Sequence, residues 1–373
     1  YTKALDACKE VIAKENACVG LEGSFEEIWR DMMKREVAAG GEALFVIPFA
    51  DNRGQWMNNY AIKHYTADKY CGKANAGGTI GPVPTLYYEY DKNDRRRDIS
   101  CIPYRWNGGR QELENIQKWY SGKYRYEWMN EVVSGNDCGI KPIVMRYADV
   151  LLMAAEAANE LNDLPYAKTQ LRKVRYRAFK SNDAVDTYLD GIASKDDMFK
   201  AIYRERMLEF SCEQIRKQDL IRWNLLKTNM DKVKQDMYDL RTLSGSYADV
   251  PAYVFWKYKS NAAGEREIVW YGLNRGETAP GTEGQQVTDQ AALDAWMKAG
   301  GWRNWNPSGN AAPAPATPSL WITPSASSGY LSDAYIEAQY HTDPDRRLDM
   351  PLPSSVIMNS QGHLSNASLG YNN

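Results

Sequence analysis

Residues 199–226 hold neither glycine nor proline, and that stretch constrains the fold more than any other part of the chain. With both breakers absent the backbone can run on as helix. Phe199 and Ile202 lie three apart, Tyr203, Met207 and Phe210 step by four and three, and Leu208, Cys212 and Ile215 repeat that step. Apolar residues at such intervals form a broad stripe on a long amphipathic helix. The intervening positions carry Arg204, Glu205, Arg206, Glu209, Glu213, Arg216 and Asp219. Opposite charges at helical spacing, such as Arg206 with Glu209, predict a solvated, salt-bridged face on a core helix, rather than a catalytic carboxylate.

A second helical pattern, residues 146–161, presents Val150, Leu151, Ala154, Ala157, Ala158 and Leu161, a small-residue face suited to close helix packing. Asn162-Asp163 forms a turn, and residues 165–179, with Tyr166, Ala167, Leu171 and Val174, complete a hairpin of tetratricopeptide length. Tyr1, Ala4, Ala7, Val11 and Ile12 resemble the second helix of such a hairpin. Its partner is expected upstream, so a substantial N-terminal segment is expected to precede residue 1. Residues 25–33 read as a short amphipathic helix and 43–49 as a strand after the Gly40-Gly41 break. Later, 253–258 and 267–271 read as a hairpin turning at 261–264, and 289–298 as a helix. Residues 310–318 belong to a Gly/Pro/Ala-rich loop without period.

Charge and composition exclude several function classes. With 46 basic and 48 acidic residues, net −2, the chain lacks the basic footprint of a nucleic-acid binder. No window approaches the about 18 apolar residues of a membrane span, and the first residues form no signal-peptide core. The six cysteines include no C-x-x-C pair and no histidine at zinc spacing, so no metal site is expected. They read as buried thiols, with one or two disulfides left open. Three histidines, without H-E-x-x-H, G-x-S-x-G or a Gly-rich phosphate loop, support no catalytic motif and no cofactor. Glu156 and Glu160, four apart with no histidine partner, are weak grounds for hydrolysis.

Aromatic choice is the unusual feature: 25 Tyr and 12 Trp stand against 7 Phe. Such rings stack on the C–H face of a pyranose while polar neighbours take its hydroxyls; buried or interfacial tyrosines explain the same bias. The first candidate site is the loop-like stretch 51–81, where Trp56, Tyr60, His64, Tyr65 and Tyr70 alternate with Asn52, Gln55, Asn58 and Asn59. Trp56, Asn58, Tyr60, Tyr65 and Tyr70 are the expected ligand contacts, with Trp56 foremost because it stands in a loop between amides. Trp302 and Trp305, with Trp321, form a second candidate cluster on the later loops. The competing reading is a loop pinned to the core by its rings in the first region and a small loop core shielded by tryptophans in the second. Tyr124, Tyr126 and Trp128 alternate as in an edge strand or extended linker.

Three ordered segments carry a family resemblance. Arg204-Glu205-Arg206, Leu208-Glu209, Glu213, Arg216 and 219–223 (Asp-Leu-Ile-Arg-Trp) form the first; Arg146 to Met153 with Glu156, Asn159 and Glu160 form the second. The tail 350–353 (Met-Pro-Leu-Pro), with Asn359, Leu364 and Asn366, is the third, and Asp94 to Asp98 looks like a short Asp/Arg motif of the same family. Together they resemble the SusD/RagB family of Bacteroidetes outer-membrane nutrient-binding lipoproteins, from about residue 146 to the end. Gln214 stands where the family usually has glycine, and Cys212 where an aromatic is common.

The resemblance implies a mainly α, tetratricopeptide-like repeat scaffold with long irregular loops and a few short strands. It implies one domain over 1–373 lacking its natural N-terminal part: scaffold at 1–50 and 146–240, loop-rich ligand-facing insertions at 51–141 and 241–349, and the family motif at 350–373. It also implies a non-enzymatic, cell-surface protein that binds oligo- or polysaccharide and hands it to a SusC-like TonB-dependent transporter, held at the outer membrane by an N-terminal lipid anchor outside this chain. The alternatives are a tetratricopeptide adaptor binding peptides or proteins, which the aromatic, loop-rich last third argues against, and a glycoside hydrolase, whose two carboxylates must flank a cleft.

Overall fold

α1 (Thr2–Ile12) and α2 (Phe25–Lys34) open a mainly helical chain in the computed structural model, which describes residues 1–37, 40–259, 266–309, 317–340, 343–344 and 352–367. Ser24 caps α2 by accepting the Glu27 amide N–H, and Phe25, Ile28, Trp29, Met32 and Met33 recur at helical spacing on its buried face. There follow β1 (Ala43–Val46), α3 (Trp56–Tyr60), α4 (Pro84–Glu89) and α5 (Arg97–Ser100). β2 (Tyr104–Asn107) and β3 (Arg110–Leu113) pair antiparallel in register from Tyr104 opposite Leu113 to Asn107 opposite Arg110. Their two-residue turn is Gly108-Gly109, at φ 57° and 71°, where a side chain would be strained. β4 (Ile143–Arg146) pairs with β1 and leads straight into α6 (Tyr147–Glu160).

Beyond it lie α7 (Leu164–Phe179), α8 (Asn182–Asp190), α9 (Lys195–Glu209), α10 (Arg216–Arg222) and α11 (Leu226–Thr242). α6 packs against α1, α7 and α9. The alanines at 154, 155, 157 and 158 are almost fully buried there, and their small side chains allow the close approach expected from sequence. Leu5 and Cys8 of α1 join this core, so the helix expected to lack a partner has one in α6. The second part of the chain holds β5 (Phe255–Tyr258), β6 (Ile268–Tyr271) and α12 (Gln290–Gly300). β5 and β6 pair as the expected hairpin, with Phe255 opposite Tyr271, and Arg303–Asn304 adds a third strand along β5.

The long helix expected over 199–226 is broken. α9 ends at Glu209, and Cys212 and Gln214 take left-handed backbone, φ 61° and 65°, before α10 begins. Gln214 thus occupies a conformation natural to glycine, the residue usual at that position in the resembled family. Apart from Arg204, which stays exposed, the charged face is also not solvated. Glu205 and Glu209 are 0% exposed and Arg206 is 3% exposed. Instead of Arg206 and Glu209 pairing along the helix, Arg206 meets Asp149 and Asp219, each at 2.7 Å. Glu209 accepts from Arg146 at 2.7 Å, Arg96 at 2.9 Å and Arg177. Arg96 also binds Asp94 and Glu205, while Glu213, turned inward after the break, takes Arg146 and Lys123. Burial opposes ionisation of Glu209, but Arg177, Arg146 and Arg96 outweigh it and hold the carboxyl far below the usual carboxylate range. The inward turn of these charges sets them against α6, α7 and the Asp94–Arg96 turn, where only long-range partners can satisfy them.

Residues 126–128, read as strand or linker, form a one-turn 3-10 helix, Tyr126–Trp128, with both rings buried. All six cysteines are free thiols; four are buried, Cys212 is half-buried and Cys18 is exposed. In the tail, Asn366 holds Leu352 through two backbone hydrogen bonds of 2.8 and 3.0 Å. Met350, Pro351, the turn at 261–264, His341 and most of the 310–318 loop lie outside the described residues.

Candidate functional site

Side chains alternate along a strand, so Tyr104 and Trp106 of β2 share one face while Arg105 turns to the other. Trp270 of β6 approaches Tyr104 with ring centroids 6.2 Å apart, and Tyr70 meets Trp106 edge-on at 5.0 Å. Gln111 of β3 joins the two hairpins: its amide N–H donates to the Arg266 carbonyl at 2.9 Å, and its side-chain oxygen accepts the Ile268 amide at 3.0 Å. Two guanidinium groups approach the Trp128 ring, Arg30 of α2 at 4.6 Å and Arg125 at 4.5 Å. These residues line a cleft of about 500 Å³, within the size range of small-molecule sites. Trp270 is half-buried, which leaves ring area for a ligand to stack on, while Tyr70 carries Lys69 over its ring at 4.8 Å.

The polar groups of the cleft are unevenly satisfied. Arg125 donates to the Gly122 carbonyl at 2.7 Å, the Asp98 carbonyl at 3.2 Å and the Tyr104 hydroxyl at 3.3 Å. Burial pushes the Tyr104 phenol up to about 12, so it keeps its proton at neutral pH. Glu267 lines the cleft with no ion pair among the described residues. Glu127 accepts the Trp106 indole N–H on Oε1 at 3.3 Å. Its Oε2 is buried and unpartnered, 3.9 Å from an equally unpartnered His64 Nε2. The other ring nitrogen of His64 lies 2.8 Å from Asp68 Oδ2, and Asp68 Oδ1 accepts the Tyr70 and Cys71 amides at 2.8 and 3.0 Å. Burial lowers the His64 pKa, but the Asp68 hydrogen bond and the Glu127 carboxylate outweigh it, so the net shift is upward. Burial raises Asp68, and its bond to His64 more than reverses that.

A larger pocket of about 1050 Å³ lies between α4, the turn after it, and α7 to α9. Its chemistry differs. Arg204 pairs with Glu89 at 2.7 Å, Arg175 pairs with Glu205 at 2.6 Å, and the Tyr188 ring is already covered by Arg175 at 3.5 Å. The smaller cleft is therefore the better candidate, because its rings and carboxylates have capacity left.

The structure scatters the residues expected from sequence. Tyr70 lines the cleft. Tyr65 is 51% exposed beside Arg105, and its amide N–H donates to the Trp106 carbonyl at 2.8 Å. Trp56 does not stand free in a loop: it starts α3, stacks on Tyr60 at 4.6 Å and leans on Tyr124. Asn58 accepts from Lys73 at 3.1 Å. Trp302 stacks on Trp296 at 5.7 Å in a separate small core. Trp305, 2% exposed, and Trp321, 0% exposed, lie in the main aromatic core, so neither offers a face to a ligand and the second cluster does not assemble. The backbone holds them there: the Trp305 and Trp321 amides donate to the Val254 and Ala252 carbonyls just ahead of β5, at 2.9 and 2.8 Å. Trp270 and Glu127, which line the cleft, and the buried Tyr104, Trp106 and Trp128 that form its wall were not singled out as site residues from the sequence. Ring alternation in 104–106 and the ring-flanked carboxylate in 126–128 were the available signals.

Among the described residues no cluster of three or more His, Cys, Asp or Glu is placed to hold a metal, and no helix is long and apolar enough to cross a membrane. Compared with known proteins, residues 101–271 match the SusD family. SusD-like protein P25 of Formosa agariphila is 45% identical over 84 residues, 22% of this chain and 15% of that protein. A SusD homolog from Bacteroides thetaiotaomicron shares 21% identity at a TM-score of 0.51, covering 79% of this chain and 57% of that one. Surface glycan-binding protein A from the same organism, solved in complex with laminarihexaose, shares 20% identity at a TM-score of 0.46, covering 61% of this chain and 51% of that one. This chain thus spans little more than half the length of the solved SusD homolog, whose likeness extends to the fold.

Proposed function

We propose, from the premise that this chain is a SusD/RagB family protein, that its aromatic cleft binds an oligo- or polysaccharide at the cell surface without turning it over. The observation that carries this reading is the cleft itself, where the half-buried Trp270 lies beside Glu267, a carboxylate with no ion pair among the described residues, and Glu127, which accepts one indole N–H on Oε1. Stacking on a pyranose face and accepting its hydroxyls need that combination. The division of the chain supports it too: Tyr70, Asp98, Tyr104, Trp106, Gln111 and Trp128 come from 51–141 and Glu267 and Trp270 from 241–349, with Arg30 reaching in from the scaffold. Tyr65, exposed and tied through its backbone to Trp106, is proposed as an outer stacking surface. Delivery to a TonB-dependent transporter and attachment by an N-terminal lipid belong to the same proposal and rest on the family alone.

The test is a glycan array followed by calorimetric titration of the best ligand. Trp270→Ala is expected to weaken binding about tenfold, on the order of 1 kcal/mol or more for a lost stacking ring, with the circular dichroism unchanged. Retained affinity would remove the cleft from the reading. Asp98, Glu127 and Glu267 are carboxylates near the expected ligand, so the bound glycan is also incubated with the protein and sized. Shortened products that vanish in a carboxylate variant would replace binding by hydrolysis.

A further inference from the structure

Beneath the cleft, His64 Nε2 and Glu127 Oε2 face each other 3.9 Å apart, both buried and both without a hydrogen-bond partner. Buried polar atoms are seldom left so, and the pair calls for a physical reason. Asp68 supplies part of it. Its carboxylate takes two backbone amides on one oxygen and His64 Nδ1 on the other, which fixes Nδ1 as the donor. A neutral His64 would then aim a lone pair at the Glu127 carboxylate. An imidazolium aims an N–H at it, and two flanking anions favour that form. The ring cannot swing away easily: His64 exchanges both backbone hydrogen bonds with Ala76, at 2.9 and 3.1 Å, and its ring lies parallel to Trp106 at 6.0 Å and edge-on to Tyr126 at 5.2 Å. Asp68 and Glu127 are the charged groups that face it; the other packed elements bring Trp106, Tyr126 and the Ala76 backbone, and the Tyr126 phenol is pushed up by burial.

Glu127 is therefore gripped at both oxygens, by the Trp106 indole on Oε1 and by the His64 ring beside Oε2. Its side chain is 12% exposed while Oε2 is buried, so the Oε1 edge is what the carboxylate offers the cleft. Resting on the reading of the cleft as a glycan site, we infer that Glu127 is its specificity-determining acceptor for the hydroxyls of a neutral sugar, and that the buried Asp68–His64 pair positions it. A uronate or sulfated sugar would meet Glu127 and Glu267 at close quarters. It would find three of the five Arg125 N–H groups already given to Gly122, Asp98 and Tyr104, and Arg30 paired with Glu26.

The experiment titrates the wild type, Glu127→Gln, His64→Gln and Trp270→Ala with the best neutral oligosaccharide of the array, and with a uronate oligosaccharide of equal length, across roughly pH 5 to 9. Glu127→Gln is expected to lose about tenfold or more in affinity for the neutral ligand, the loss for a hydrogen bond to a charged acceptor. Wild-type affinity should be full where His64 is protonated and should fall as pH rises through its raised pKa. His64→Gln should bind severalfold more weakly at low pH with a flat profile. If His64→Gln fails the circular dichroism check, the wild-type profile and Glu127→Gln decide. A Glu127→Gln variant within twofold of wild type, a flat wild-type profile, or uronate bound as tightly as the neutral sugar overturns the inference while loss in Trp270→Ala keeps the cleft as the site. Retained binding in Trp270→Ala, or no neutral glycan bound at all, overturns the cleft reading and this inference with it.

Discussion

The helical scaffold and the aromatic cleft draw on the same residue types, charged groups beside rings, and use them in opposite ways. Around Glu209 the carboxylate meets three guanidinium groups, and the chain brings those partners from Arg96, Arg146 and Arg177. Nothing is left over to bind a ligand. In the cleft, Glu127 Oε1 takes one indole N–H, Glu267 has no ion pair among the described residues, and Trp270 is only half-buried. Saturated polar groups make a scaffold rigid; unsaturated ones in a concave, ring-lined setting make a site. The density of charge in a sequence thus does not by itself mark a candidate site; which rings and carboxylates the fold leaves accessible does.

The largest expected effect breaks the scaffold side. Glu209→Ala leaves three buried guanidinium groups short of a counter-charge and should destabilise the protein by about 3–5 kcal/mol in chemical denaturation, while folded protein keeps its ligand affinity. Lost affinity at unchanged stability would erase the distinction between the two regions. The pH dependence sharpens it. Because the folded pKa of Glu209 is depressed, its contribution is present above the unfolded value and is lost progressively as pH falls below the ordinary carboxylate range. The stability gap between wild type and Glu209→Gln should therefore narrow on acidification from neutral pH; a gap that widens would contradict the network.

A middle-sized effect separates packing rings from ligand rings. Trp56→Ala removes a half-buried indole stacked on Tyr60 and should cost about 2 kcal/mol of stability, below the range for a fully buried tryptophan. Its glycan affinity should match wild type, in contrast to Trp270→Ala. Equal affinity losses in both would extend the site to α3. The smallest effect is expected at Arg222, which pairs with Glu156 and Asp219 but is 40% exposed. Solvent screening limits Arg222→Ala to about 1 kcal/mol, read as a shift of the denaturant midpoint with unchanged binding.

Much of the scaffold was legible. The period of α6 and α7, the turn between them and the hairpin of β5 and β6 follow from patterns a few residues long, and the structure places all of them close to where the pattern does. The break after Glu209 was less so: with no glycine or proline to announce it, the turn is held by Glu213 reaching inward to Arg146 and Lys123. The site was the least legible part. Tyr70 was within reach because it stood among rings in a loop, but Trp56 and Trp305 stood in equally ring-rich surroundings and pack inward instead.

What the sequence determined by itself is the helical scaffold and the ordered charged motifs of α6, α9 and α10, because helix period and turn chemistry are local and survive without knowledge of the rest of the chain. Tertiary structure alone decided which side of α9 faces inward and which rings stay open. Arg96 and Glu209 meet 113 positions apart, and the cleft gathers side chains from Arg30 to Trp270. Whether a carboxylate ends saturated or spare depends on partners brought in from such distances, and no local pattern encodes them.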